Sequence, residues 1–114
     1  MRAFQALLVA IFVAIASYTV VVIADHGMGL LPVFFGDMTK FAWPGQFNLD
    51  FFCMLMLSGL WVSWRHGFGG AGLVLGTFAF FGGAFFLSAY LLVESARCGG
   101  DMRRLLLGDA RAAA

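Results

Sequence analysis

Three long apolar runs separated by short polar breaks organise the chain. The first is about residues 4–24, FQALLVAIFVAIASYTVVVIA, closed by Asp25, His26 and Gly27. The second is about 44–64, closed by Arg65 and His66. The third is about 71–93, AGLVLGTFAFFGGAFFLSAYLLV, closed by Glu94 and Arg97. A helix needs about 20 mostly apolar residues to cross a hydrocarbon core of ~30 Å, and each run meets that length. The pattern therefore predicts an all-α integral membrane domain over residues 1–94, with three transmembrane helices. A short polar tail, 95–114, follows it.

Between the first two runs, Leu31, Phe34, Phe35, Met38, Phe41 and Ala42 repeat at helical spacing. Asp37 and Lys40 interrupt this stretch, and it is too short to cross. A short amphipathic helix at about 31–42, lying in the membrane interface, is predicted. Pro32 suits its first turn. A re-entrant hairpin is the other geometry open to it. The first run also has the outline of a signal peptide, with Arg2 ahead of it and Ala14-Ile15-Ala16 as a small-x-small site. Its apolar stretch continues well past a signal core, which points to a retained span.

Trp43 and Trp64 bracket the second run. At 1.5 Å per residue they stand ~31 Å apart, the thickness of the core, as expected of interfacial aromatics. On this ruler Asp50 lies ~10 Å inward from Trp43. The apolar stretch after Asp50 is about 14 residues, too short to span alone, so the carboxylate is drawn below the headgroups.

Composition agrees with a membrane protein. Of 114 residues, 62% are hydrophobic and 11% charged, with a mean hydropathy of +0.94. A soluble domain is nearer half apolar and a quarter charged. A net charge of +1 without a basic cluster argues against nucleic acid as a partner. Cys53 and Cys98 are too far apart in sequence for a metal motif. The pattern holds no GxSxG, HExxH or phosphate-binding loop, so neither an enzyme nor a metal or cofactor site is expected. His26 and His66 sit at helix ends, where they read as interfacial histidines rather than haem ligands.

Three antiparallel spans would gather the end of the first, the start of the second and the end of the third at one membrane face. Asp25, His26, Asn48, Asp50, Glu94 and Arg97 then form an intramembrane polar cluster, joined by Gln46 and Tyr90. Ionisable groups at such depth pair or function. Arg97 is the natural partner for Asp50. Glu94 and Arg97 also stand at i, i+3, and His26 is a third choice. The plainer role for the cluster is to tie helix ends together; the sharper one is proton or ion handling at Asp50.

Small residues mark where membrane helices approach closely. Ala6, Ala10 and Ala14 recur on the first run and Gly72, Gly76 and Gly83 on the third. Both stripes are expected to pack, on each other or on a partner. With three crossings the termini fall on opposite sides. Lys40, Arg97, Arg103, Arg104 and Arg111 share the C-terminal side, against Arg2 and Arg65. The positive-inside rule then puts the C-terminus in the cytoplasm and the N-terminus outside.

QFNLD at 46–50, WVSWR at 61–65, the glycine-rich third run, YLL at 90–92 and GDMRRLLLG at 100–108 resemble a family of small bacterial three-helix membrane proteins of unknown function. The resemblance implies bacterial origin, an inner-membrane location and the same helix order; it carries no catalytic residue. Taken together, the sequence suggests a small accessory or structural subunit of a larger membrane complex, such as a respiratory or photosynthetic one. Its partners would be the bilayer and other membrane subunits or copies of itself. The alternative is a small transporter or proton- or ion-handling oligomer centred on Asp50.

Overall fold

The computed structural model describes residues 1–113 and is helical throughout. Its elements are α1 (Arg2–His26), α2 (Leu30–Met38), α3 (Trp43–Arg65), α4 (Gly70–Arg97), α5 (Met102–Leu107) and α6 (Asp109–Ala113). Three of these, α1, α3 and α4, are long and apolar enough to cross a membrane. Their bounds match the predicted runs to within a few residues at each end.

α2 stops at Met38, short of the predicted 42. Phe41 takes a left-handed backbone, φ 51°, which ends helical winding. Pro44, with its fixed φ, then opens the first turn of α3. α2 lies beside the first turns of α3. The contact is close because Gly45 has no side chain: a Cβ there would stand 2.9 Å from the Met38 Cα and would also strike the Asp37 carbonyl. Asn48 Nδ2 donates to the Phe34 carbonyl oxygen at 3.0 Å, tying the two helices.

The path of α4 decides the rest of the fold. Gly83 has φ 55° and ψ −140°, a non-helical geometry open to glycine. There the helix turns back on itself. Its first half runs down α3, with Gly72 beside Ser63 and His66, and Gly76 beside Gly59 and Ser63. Gly83, at the apex, faces Phe51 and Leu55. The second half returns, so that Tyr90 again meets His66 and Glu94 again meets Arg65. A straight helix would separate Gly72 from Glu94 by ~33 Å; instead both sit at the C-terminal end of α3. Val62, Ala79 and Tyr90 form the small core of this hairpin, with Leu75, Phe86 and Leu91 around them.

α1 packs on the returning half of α4. Phe12 stacks on Phe85 with ring centroids 4.8 Å apart, and Gln5 Nε2 donates to Ser95 Oγ at 3.0 Å. Met1 lies close to Gly100. The two ends of the chain are therefore at the same end of the molecule, the end that holds Arg65. Three straight antiparallel helices would hold them at opposite ends of the bundle; the third run instead doubles back at Gly83.

The expected packing stripes are resolved differently for the two helices. Gly72, Gly76 and Gly83 are buried, as close packing requires, but against α3. Ala6, Ala10 and Ala14 are exposed, because α1 meets α4 through Leu8, Gln5 and Phe12 instead.

Candidate functional site: a buried arginine under a C-terminal cap

The strongest polar constellation is built around Arg65, the last residue of α3. Its side chain is 4% exposed. Nε donates to the Leu105 carbonyl at 2.6 Å, Nη2 to the Arg104 carbonyl at 3.2 Å, and Nη1 to the Tyr90 hydroxyl at 3.0 Å. Nη2 also lies 3.3 Å from Glu94 Oε2 and 3.9 Å from Cys98 Sγ. The planar fork of a guanidinium reaches this many acceptors at once; an ammonium does not.

The acceptors come from three places in the chain. Tyr90 and Glu94 arrive through the α4 hairpin. Arg104 and Leu105 arrive because the tail folds back over the bundle end. Asp101 caps α5, its Oδ1 accepting from the backbone N–H groups of Arg103 (3.0 Å) and Arg104 (3.4 Å). Leu105 is completely buried, and Trp61 Nε1 donates to the Leu106 carbonyl at 3.2 Å. Gly108 rests directly on the Arg65 carbonyl oxygen, where any side chain would collide. Beyond it, Arg111 donates to the Trp64 carbonyl and lies over the Trp64 ring, 4.1 Å from its centroid. The tail is thus a cap of two short helices, seated by Leu105 and held by hydrogen bonds.

Glu94 is shared. It faces Arg65 on one side and accepts from Arg97 Nη1 at 2.8 and 3.0 Å on the other. Tyr90 accepts from Arg65, and its hydroxyl lies 2.6 Å from His66 Nε2, leaving its own proton free to be donated there. That arrangement wants a neutral imidazole carrying its proton on Nδ1. Burial, and then the adjacent Arg65 charge, lower the His66 pKa from its ordinary 6.5 in the same direction. A cavity of about 500 Å³ opens beside these groups, lined by Arg65, His66, Glu94, Arg97, Asp109 and Arg111.

The pH consequence has a definite sign. A folded-state pKa below the unfolded one means that the unfolded chain binds more protons through this range. The His66 contribution is present above pH 6.5 and is lost as pH falls through the lowered value. The melting temperature of the wild type in mild detergent should exceed that of His66→Phe at pH 8, and the gap should shrink by pH 5. An equal gap at both pH values would contradict the neutral-acceptor assignment. Glu94 and Asp109 face His66 as well, so the comparison with the variant, rather than the wild-type profile alone, isolates it.

The expected polar ring is not assembled. Arg97 pairs with Glu94, the i, i+3 alternative, and not with Asp50. Asp50 is exposed on α3, about 22 Å along the helix from Arg65. Asp25 and His26 are exposed at the far end of α1, and Asn48 binds α2. The physical reason is again the turn at Gly83, which carries Glu94 and Arg97 to the opposite end of the bundle from Asp25, Asn48 and Asp50. Among the described residues, no three His, Cys, Asp or Glu side chains stand close enough to hold a metal ion. Cys53 and Cys98 are free thiols, the first exposed and the second buried beside Arg65.

Arg65 and His66 read in the sequence as flanking charges that merely close a span. A signal was nevertheless present. WVSWR, YLL and GDMRRLLLG are distant in sequence, yet all three converge here through Trp61, Arg65, Tyr90, Asp101, Leu105 and Gly108.

These features define an all-helical integral membrane protein whose third long helix is folded back beneath a C-terminal cap. No protein-family model, no curated protein and no solved structure matches the chain.

Proposed function

We propose that the protein is a small accessory subunit of a larger assembly in a bacterial inner membrane, docked to its neighbour through α1. The carrying observation is the state of that helix. Only 6% of its most apolar window is buried within the chain. Ala6, Ala10 and Ala14 lie on the side turned away from Leu8 and Phe12. Lipid tails are as apolar as leucine, so a bare apolar helix needs no cover; small side chains in register are what a close helix–helix contact uses. Each nitrogen of the buried Arg65 guanidinium is directed at a group of this chain, where it holds the cap. That favours a structural part over a transporter. The bacterial setting is the expectation that the resemblance of the QFNLD, WVSWR, YLL and GDMRRLLLG segments implies.

Ala10→Leu tests the proposal, because the position is exposed and the change leaves the bundle's own contacts intact. In mild detergent the native protein should migrate with its partner at high mass. The variant should migrate at lower mass with an unchanged melting temperature. Retention of the full complex by Ala10→Leu, confirmed by the masses of its components, would remove α1 as the docking helix. If every component is this same chain, the partner is another copy.

A further inference from the structure

We propose that α4 is a re-entrant hairpin, entering and leaving the membrane through one face, and that the arginine-rich end of the bundle meets the anionic headgroups of the cytoplasmic leaflet. Both termini then lie in the cytoplasm. This goes beyond the subunit reading and does not depend on it.

Three independent observations point the same way. First, the two halves of α4 on either side of Gly83 are each about 13–14 residues, or roughly 20 Å, long. Neither half reaches across a ~30 Å core alone. Both open ends, at Gly72 and Glu94, sit beside the end of α3, and the apex rests against Phe51 and Leu55, midway along it. Irregular backbone at membrane depth is tolerated where protein covers it, and Gly83 is buried.

Second, the fold sorts charge along the long axis of the molecule. Six arginines (2, 65, 97, 103, 104 and 111) stand at one end with three carboxylates, Glu94, Asp101 and Asp109, a net of +3. Lys40 stands at the other end with Asp25, Asp37 and Asp50, a net of −2. Counted along the sequence as three crossings, the cations divide five to two; counted on the fold, they divide six to one. Basic residues close to the helix ends are retained on the cytoplasmic side, where the leaflet is negative.

Third, the arginine end has the layered chemistry of a headgroup region. Trp61 and Trp64 lie at its level. On α5 the exposed Met102 and Leu106 flank the exposed Arg103, and the Arg97 side chain is 61% exposed. Apolar groups beside guanidinium groups suit a boundary between acyl chains and phosphates.

Single cysteines in a Cys53→Ala, Cys98→Ser background test this, using a membrane-impermeant maleimide on spheroplasts of a bacterial host. Gly29 and Gly70 have open space where a Cβ would stand, and Ala110 is exposed, so Gly29→Cys, Gly70→Cys and Ala110→Cys leave the fold intact. Gly29→Cys should label on intact spheroplasts. Gly70→Cys and Ala110→Cys should label only after permeabilisation. Gly29→Cys and Ala110→Cys on the same side, both labelled from outside or both protected, means three crossings and overturns the hairpin. Labelling of Gly70→Cys and Ala110→Cys from outside, with Gly29→Cys protected, overturns the orientation. For the headgroup contact, the wild type in nanodiscs should melt higher with phosphatidylglycerol than with phosphatidylcholine, and high salt should erase the difference. Equal melting in the two lipids at low salt overturns that part.

Discussion

Arg65→Ala is expected to release the C-terminal cap and to destabilise the protein by about 3–5 kcal/mol, the usual cost of removing one partner of a buried ion pair. The change takes away more than a charge. It leaves the Leu105 and Arg104 carbonyls, the Tyr90 hydroxyl and one face of Glu94 without their donor, in a place where Arg65 and Glu94 are 4% and 9% exposed. Buried groups left unpaired lose both the bond and the hydration given up on folding. Arg65→Lys should fall in between, since an ammonium keeps the Glu94 attraction but, with all its donors on one nitrogen, cannot span acceptors reached from Nε, Nη1 and Nη2. Glu94→Gln combined with Arg65→Ala should cost less than the two changes separately, because the carboxylate no longer remains stranded. Two readouts suffice: melting in mild detergent, and trypsin cleavage after Arg103, Arg104 and Arg111, which the seated cap hinders. A variant that melts within about 0.5 kcal/mol of the wild type with its tail still protected would show that the arginine is not the clamp.

Gly76→Leu should be nearly as damaging, for a reason of shape. A Cβ at Gly76 would stand 2.8 Å from the Gly59 carbonyl oxygen and would overlap Ser63 Oγ. The serine hydroxyl can rotate away; the backbone oxygen cannot. Overpacking of this kind costs about 1–3 kcal/mol even in a core that yields. Here the contact is also what joins α3 to α4, because helices in lipid associate by close approach rather than by burial from water. The outcome separates two kinds of small-residue stripe in one chain. Gly76→Leu should lower the melting temperature of the isolated protein, whereas Ala10→Leu should leave it unchanged and alter only the association with a neighbour. Normal melting of Gly76→Leu would mean that the α3–α4 contact is not as tight as the glycines allow.

The polar cluster shows where sequence reasoning reached and where it stopped. It identified the buried face of α4 from Gly72, Gly76 and Gly83, because the absence of a side chain is a local property. It paired Glu94 with Arg97 as an alternative, because i, i+3 spacing on a helix is local too. It joined Asp50 to Arg97 by assuming that an apolar run of spanning length runs straight. In the sequence Gly83 is one more small residue in a stripe, and a glycine's φ and ψ are not written in its neighbours' hydropathy.

By itself, the pattern of apolar and polar positions determined the helices, their approximate bounds and their suitability for a membrane, since each depends only on residues a few positions apart and on the length of a bilayer crossing. Only the tertiary structure decided that α4 doubles back, that Met1 comes to lie beside Gly100, and that Arg65 and Glu94 rather than Asp50 are buried charges. Those outcomes rest on contacts between residues tens of positions apart. A turn at one glycine, stabilised by Phe51 and Leu55 against its apex and by Arg65 across its open end, sets all of them together.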